Sequence, residues 1–312
     1  MVPKALPTDS AANSAELAER AWRLLLATVE RRRGAAAAGQ AAVGPEGPSQ
    51  WLTWHGSGAP VVAAHVPAAV RPLLELYAPL CAGAPGRPLT LAHLGQSLDG
   101  HIATDSGDSY YVTGPDNVRH LHRLRALCDA VIVGAGTVAR DDPQLTVRHV
   151  EGANPVRVIL DPRGRLPARH RVFTDGLTRT LVVHAQGIAA VTPGSAETLV
   201  VPQTDGRLDL NALLATLHAR GLNTVFVEGG GATVSNFLEA GLLDRLHVAI
   251  APLVTGSGRP GLSLSARDKI ADCLRPAHRV FTMGGDVLFD CDLRAAPSAA
   301  PENPSDDISR VI

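Results

Sequence analysis

Short apolar runs alternate with amphipathic stretches from residue 87 to residue 294. Runs of strand type fall at residues 89–94, 130–133, 156–160, 180–183, 198–201, 224–227, 245–250, 279–283 and 287–293. Most are continuous in Val, Leu and Ile rather than alternating, the pattern of strands buried on both faces. Helical spacing appears between them at residues 115–128, 209–220 and 231–240. In the first of these, Val118, Leu121, Leu124 and Cys128 mark the buried side. This alternation predicts an α/β fold with a mostly parallel sheet. Only Gly284-Gly285-Asp286 separates the last two runs, a hairpin signal, so the sheet should be mixed with an antiparallel C-terminal edge.

The flanks read differently. Residues 14–30 have a helical stripe of Leu17, Ala21, Leu24, Leu25 and Thr28. Arg31-Arg32-Arg33 then leads into residues 34–49, rich in Ala, Gly and Pro, which read as a linker. Residues 50–80 hold Trp51, Trp54 and a possible helix over 68–80. The division expected is an N-terminal extension of unassigned role (1–86), a main domain (87–294) and a disordered Pro-, Ser- and acid-rich tail (295–312).

Composition narrows the function. The formal net charge is −1, so neither nucleic acid nor an anionic membrane is an expected partner. Cys81, Cys128, Cys273 and Cys291 are far apart, which argues against both a zinc site and a disulfide framework. The histidines are scattered without metal-ligand spacing, so no metal is expected. No apolar run approaches the roughly 18 residues of a membrane span. The acids Asp9, Glu16 and Glu19 do not fit a secretory signal, leaving a cytoplasmic protein as the default.

Four stretches carry candidate chemistry. Val225-Phe226-Val227-Glu228-Gly229-Gly230-Gly231 reads as strand, glycine turn and helix start. Glycines let a ligand approach the backbone, and unpaired N–H groups of a first helical turn attract phosphate. Gly134-Ala135-Gly136-Thr137-Val138-Ala139 imitates a dinucleotide fingerprint, but Asp141-Asp142-Pro143 leaves room for one or two helical turns only. Ser97-Leu98-Asp99-Gly100 reads as a turn in which Asp99 ties down its own backbone. In the segment 109–148, Thr113 is placed to cap a helix opened by Pro115 and Asp116. Arg125 and Arg148 lie at element boundaries and suit a phosphate.

Together these stretches resemble the pyrimidine reductase family of riboflavin biosynthesis. The resemblance rests on Ser97-Leu98-Asp99-Gly100-His101-Ile102-Ala103, Leu124-Arg125-Ala126, Asp129 to Gly134, Thr137, Asp141 to Arg148, Val158-Ile159-Leu160-Asp161, and Val227-Glu228-Gly229-Gly230 with Phe237-Leu238. Gly241-Leu242-Leu243-Asp244 and Ala251-Pro252 continue it, so residues 87–294 are covered. It implies a dihydrofolate reductase-like three-layer α/β fold with a mixed, mostly parallel sheet and an antiparallel C-terminal hairpin. It implies NADPH as cofactor and a phosphoribosylamino-pyrimidine as substrate, whose opened sugar receives a hydride at C1′ to give the ribityl chain. Ser109, Arg125, Leu145, Arg148 and Glu228 would touch substrate, with Glu228 also a candidate proton relay. Gly95, Tyr111, Thr137, Asp141, Pro162 and the stretch Gly230, Gly231, Ala232, Thr233, Val234, Ser235 and Asn236 would hold the cofactor. Arg163 and Arg165 are candidates for favouring NADPH over NADH, and relatives imply a homodimer.

The chain departs from the family in three places. Residues 1–86 lack the His-x-Glu and Pro-Cys-x-x-Cys signature of the deaminase found in bifunctional members, so deamination is not expected. His93 stands where the family often has lysine, and Tyr111 where tryptophan is frequent. Two other readings stay open from sequence: a reductase of a diaminopyrimidine or specialised-metabolite pyrimidine, and a non-catalytic nucleotide-binding module whose N-terminal region recruits a partner protein.

Overall fold

The structure, a computed structural model, describes residues 9–37, 51–54, 59–83, 86–109, 112–189 and 191–295. It divides into two compact units, residues 1–89 with 218–224, and residues 90–217 with 225–312. The linker expected at 34–49 is helical through Ala37, and residues 38–50 lie outside the described residues, as do 296–312 of the expected tail.

In the first unit the N-terminal helix spans Asp9–Ala37, longer at both ends than the stripe predicted. Its buried side, Ala21, Leu25 and Val29, belongs to a core with Leu74 and Leu80, and Trp22 meets Tyr77 edge-on at 5.9 Å. The helix expected over 68–80 is two pieces, an α-helix Arg71–Tyr77 and a 3₁₀ turn Ala78–Ala82. Pro79 explains the change, because proline removes a donor that a continuous α-helix needs. Cys81 is buried, and burial pushes its thiol up to about 12, so it is unreactive.

The second unit is built on a nine-stranded sheet. In spatial order its strands are Ala277–Met283, Asp286–Asp292, Arg245–Ile250, Leu89–Gln96, Thr224–Glu228, Ala130–Gly134, Val156–Leu160, Thr180–Ala185 and Glu197–Val201. All nine apolar runs are therefore strands of one sheet. Arg245–Ile250 is parallel to Leu89–Gln96, and five strands from Thr224–Glu228 to Glu197–Val201 are parallel in succession. The C-terminal hairpin is antiparallel, as its glycine turn implied. Val131, Ile132, Val158, Ile159, Val182, Val225, Phe226 and Val227 are fully buried, which accounts for the unbroken apolar runs. The sequence pattern missed short pairs such as His101–Thr104 with Gly258–Pro260, too brief to show a period.

The helices fall at Pro115–Leu127, Ala135–Asp141, Leu210–Ala219 and Gly231–Glu239, with a further short turn at Arg171–Thr174. Ala135–Asp141 ends where Asp142 turns left-handed before Pro143, so the glycine pair there opens no long helix. Two local expectations are corrected. Gly114, not Thr113, is the N-cap of the Pro115 helix; the Thr113 hydroxyl instead accepts from Asn117 Nδ2 at 2.8 Å. Asp99 does more than close its own turn: it accepts from Thr255 N at 3.1 Å and Gly256 N at 2.7 Å, pinning a distant loop.

One buried ion pair anchors the parallel half of the sheet. Arg157 is fully buried and donates to Asp175 Oδ1 at 2.8 Å, Asp175 Oδ2 at 2.7 Å and Val172 O at 3.2 Å. Burial raises the Asp175 carboxyl, but the Arg157 bonds and charge outweigh it and the net shift is down. Its contribution is thus complete above the unfolded carboxylate range and is lost as pH falls through the depressed folded value. We expect Asp175→Ala to lower the unfolding free energy by about 3–5 kcal/mol at neutral pH, since it strands a buried guanidinium. Urea titration measures this, and the deficit should shrink as pH falls.

Candidate functional site

The site forms where loops leave the strand ends, the place an open α/β sheet offers to ligands. A cavity of about 260 Å³ is lined by Gly95, Ser109, Thr137, Asp141, Glu228 and Gly230 among the residues expected from sequence. A second, of about 530 Å³, takes Pro162, Thr233 and Asn236. The glycine turn lines the smaller one through Gly229 and Gly230, and the helix after it reaches the larger through Thr233 and Asn236. Gly229 and Gly230 sit at φ 77° and 52°, which favours residues without a side chain. A Cβ at Gly134 would lie 2.8 Å from Thr233 Oγ1, so a side chain there would make the Thr233 hydroxyl shift.

The helix Gly231–Glu239 starts from Gly230 without a side-chain cap. Thr233 N donates to Gly230 O at 2.9 Å, which leaves the first-turn amides of Gly231 and Ala232 without a side-chain cap at the positive end of the helix dipole. The rest of the predicted stretch divides by duty. A Cβ at Gly231 would meet Gly261 O at 2.4 Å and Pro260 O at 2.6 Å, so this glycine serves packing. Val234 is buried in the core, and the Ser235 hydroxyl accepts from Ser263 N at 2.9 Å. Ala232 is exposed and lines neither cavity.

Glu228 is not a free carboxylate. Arg125 Nε donates to Glu228 Oε2 at 2.8 Å, and Nη2 donates to Oε1. Arg125 Nη1 donates to Thr146 O at 3.0 Å. The pair is buried, so one guanidinium ties the Pro115 helix, the Thr224 strand and the 142–148 segment together. That segment is strained: Asp142 and Leu145 have φ of 38° and 55° without being glycine, and Leu145 is buried.

Arg148 differs from Arg125. It reaches solvent, donates to Thr146 Oγ1 at 2.7 Å, and forms no ion pair among the described residues. Partial burial, with Arg125 close by, holds its guanidinium below the ordinary value. Burial, then Arg125 and Arg148, push His122 down to about 3, so it stays neutral and its Nδ1 accepts from Arg148 N at 3.0 Å. Burial is the larger cause of both shifts and the neighbouring arginines add to it. Sequence reasoning did not single out Asn117, Arg140, Arg207 or Arg259, all of which line the cavities; isolated polar residues in loops and helices carry no periodic signal. Arg163 and Arg165 are exposed and line neither cavity; Arg125, Leu145 and Arg148 line neither as well, and are joined to the smaller one only through Glu228 and Thr146; Tyr111 lies outside the described residues.

Residues 88–274 match the RibD C-terminal domain family. The chain belongs to this family. Against the 2,5-diamino-6-ribosylamino-4(3H)-pyrimidinone 5′-phosphate reductase of Methanothermobacter thermautotrophicus it is 36% identical over 212 residues, covering 65% of this chain and 97% of the relative. Against the riboflavin biosynthesis protein RibD of Escherichia coli it is 34% identical, covering 60% of this chain and 54% of that protein. The crystal structure of a diaminohydroxyphosphoribosylaminopyrimidine deaminase/5-amino-6-(5-phosphoribosylamino)uracil reductase from Thermotoga maritima superposes with a TM-score of 0.58 at 31% identity. That match covers 66% of this chain and 57% of the other. The family match covers most of the second unit up to residue 274, and the chain spans little more than half the length of these two RibD-type relatives.

The two arginines should separate in a denaturation experiment. Arg125→Met leaves the buried Glu228 carboxylate without its countercharge and should cost about 3–5 kcal/mol. Arg148→Ala, at the surface, should change stability by less than about 0.5 kcal/mol.

Proposed function

We propose that the chain is an NADPH-dependent reductase that converts the ribosyl group of 5-amino-6-(5-phosphoribosylamino)uracil to the ribityl form in riboflavin biosynthesis. The observation that carries this reading is the glycine turn that lines the smaller cavity beside Glu228, followed by a helix whose Thr233 and Asn236 line the larger one, in a member of the RibD C-terminal domain family.

The residues present fit a dinucleotide. Small residues clear the approach at Gly229 and Gly230, the helix start offers amides to a pyrophosphate, and the larger cavity has room for an adenosine end. NADPH, when bound, supplies the hydride. The protein's part is to hold two ligands in register and keep water from the reacting carbon. Thr137, Asp141, Pro162, Thr233 and Asn236 would position the cofactor. Ser109 and Glu228 would position the pyrimidine and its sugar, and the buried Leu145 would support the segment that carries Arg148. Because both Glu228 oxygens already accept from Arg125, Glu228 acts as a fixed acceptor before it acts as a proton relay. The substrate phosphate falls to Arg148, which has donors to spare, while Arg125 acts through Glu228 and Thr146. The working form is a homodimer, and no nucleic acid or membrane is involved. Among the described residues no helix is long and apolar enough to cross a membrane.

One observation favours a second substrate. The archaeal relative that the chain covers almost end to end is named for a diaminopyrimidinone 5′-phosphate rather than the deaminated uracil. Turnover of both pyrimidines with NADPH consumption decides between them, and turnover of neither would refute the enzyme reading. The cofactor preference has its own test. Arg207 lines the larger cavity, so it replaces Arg163 and Arg165 as the candidate reader of the 2′-phosphate. Arg207→Ala should raise the KM for NADPH roughly tenfold or more, the value of a lost charge-assisted bond, and leave that for NADH unchanged.

A further inference from the structure

Two arginines line the smaller cavity, and the proposed chemistry uses neither. Arg140 comes from the helix Ala135–Asp141 and Arg259 from the short strand Gly258–Pro260. Among the described residues neither guanidinium makes an ion pair or a hydrogen bond. The carboxylates of the same wall do not consume them. Glu228 is held by Arg125. Burial raises the Asp141 carboxyl, and the charges of Arg140 and Arg259 lower it without overcoming that rise. Two guanidinium groups thus face one carboxylate that pairs closely with neither, and the wall carries positive charge in excess. Like charges around one cavity repel, and a ligand of opposite sign relieves them.

The fold places Arg259 with care. A two-stranded pair as short as Gly258–Pro260 with His101–Thr104 is marginal by itself. Neighbours pin it at both ends. Ahead of it, the Asp99 carboxylate accepts from Thr255 N at 3.1 Å and from Gly256 N at 2.7 Å, and the Ser257 hydroxyl donates to Asp105 Oδ2 at 2.6 Å. Behind it, Gly261 N donates to Gly100 O at 2.8 Å. Gly107, which also lines the cavity, then lies against the guanidinium itself. A Cβ there would meet Arg259 Nη2 at 2.6 Å and Cζ at 3.0 Å, and its φ of 96° favours a residue without one. Arg140 turns back along its own helix: a Cβ at Gly136 would lie 3.8 Å from both its terminal nitrogens.

We propose that Arg140 and Arg259 form a clamp for a phosphate group that a ligand carries into the smaller cavity. A guanidinium presents paired donors that match phosphate oxygens, and two of them from separate elements fix both the position and the orientation of such a group. A neutral ring or amide would leave the excess charge of the wall uncompensated. The inference rests on the reductase reading, within which two groups have this chemistry: the phosphate bridge of the dinucleotide and the 5′-phosphate of the pyrimidine. Arg148, which has donors to spare for the substrate phosphate, does not line this cavity; Arg140 and Arg259 do.

The test compares the full chain with its Arg140→Met, Arg259→Met and Arg259→Lys variants. It measures the midpoint of thermal unfolding, the Kd of NADPH and of NADH, and KM for whichever pyrimidine the wild type reduces, with the same pyrimidine lacking its 5′-phosphate as substrate or competitor. Neither methionine variant should lower the midpoint by more than about 2 °C, since no ion pair is lost. Each should weaken one phosphate-bearing ligand about tenfold or more and make its binding less sensitive to salt. Lysine at 259 keeps the charge without the fork and should recover part of the loss. Equal losses for NADPH and NADH with an unchanged pyrimidine KM assign the clamp to the dinucleotide bridge. A higher KM confined to the phosphorylated pyrimidine assigns it to the substrate. A loss for NADPH alone overturns the clamp, because the bridge is common to both cofactors. So do losses for different ligands in the Arg140 and Arg259 variants, or folded methionine variants with wild-type constants. A lowered midpoint in Arg259→Met that lysine does not restore marks a packing residue and overturns it too. A wild type that binds no NADPH and reduces neither pyrimidine refutes the reductase reading and the clamp with it, whereas variants that match the wild type leave that reading standing.

Discussion

The site depends on the contact between Arg125 and Glu228. Two parallel bonds leave the guanidinium little freedom, and its remaining arm holds Thr146 O. Removing both charges from water is expensive, and a pair of well-packed apolar residues would serve stability as well or better. What the pair provides is position. It sets a carboxylate at the end of a central strand, at a fixed distance from the segment that carries Leu145 and Arg148. That segment has two non-glycine residues in the left-handed region, a conformation that persists only where neighbours over-determine it. The arginine bond to Thr146 O is one such restraint, and the Asp142 carboxylate, which accepts from Arg171 N at 2.8 Å, is another.

A second electrostatic knot stabilises the antiparallel edge of the sheet. Asp290 is fully shielded from solvent and is shared by Arg245, Arg279 and His247. Burial raises its carboxyl, but His247 and Arg245 outweigh this and hold it well below the usual range. The two knots differ in use. The first borders the smaller cavity through Glu228; the second is joined through His247 to His120.

The fold was largely legible in the chain because burial on both faces leaves continuous apolar runs, and every one of the nine is a strand. The hairpin was legible because Gly284 occupies the left-handed region that its turn requires. Elements of three or four residues, such as Gly258–Pro260, were not, since no period can be read from them. The site was legible where backbone chemistry marks it, at Gly229, Gly230 and the strand-end Glu228. It was not legible where function depends on which side chains meet. Arg125 reads as a phosphate ligand until Glu228 is seen to occupy it, and His93 reads as a scattered histidine until His120 and His247 are found beside it. The N-terminal helix was recognised but its length was not, because Ala-rich sequence around Gly34 looks like a linker and is helical through Ala37.

The third glycine of the turn has a mechanical consequence. Gly231 leaves no gap between the start of its helix and the carbonyls of Pro260 and Gly261, so the stretch bearing Arg259 is seated directly on the helix start. Neither piece can travel far alone. A displacement of the helix start toward that stretch would therefore press on the backbone that bears Arg259.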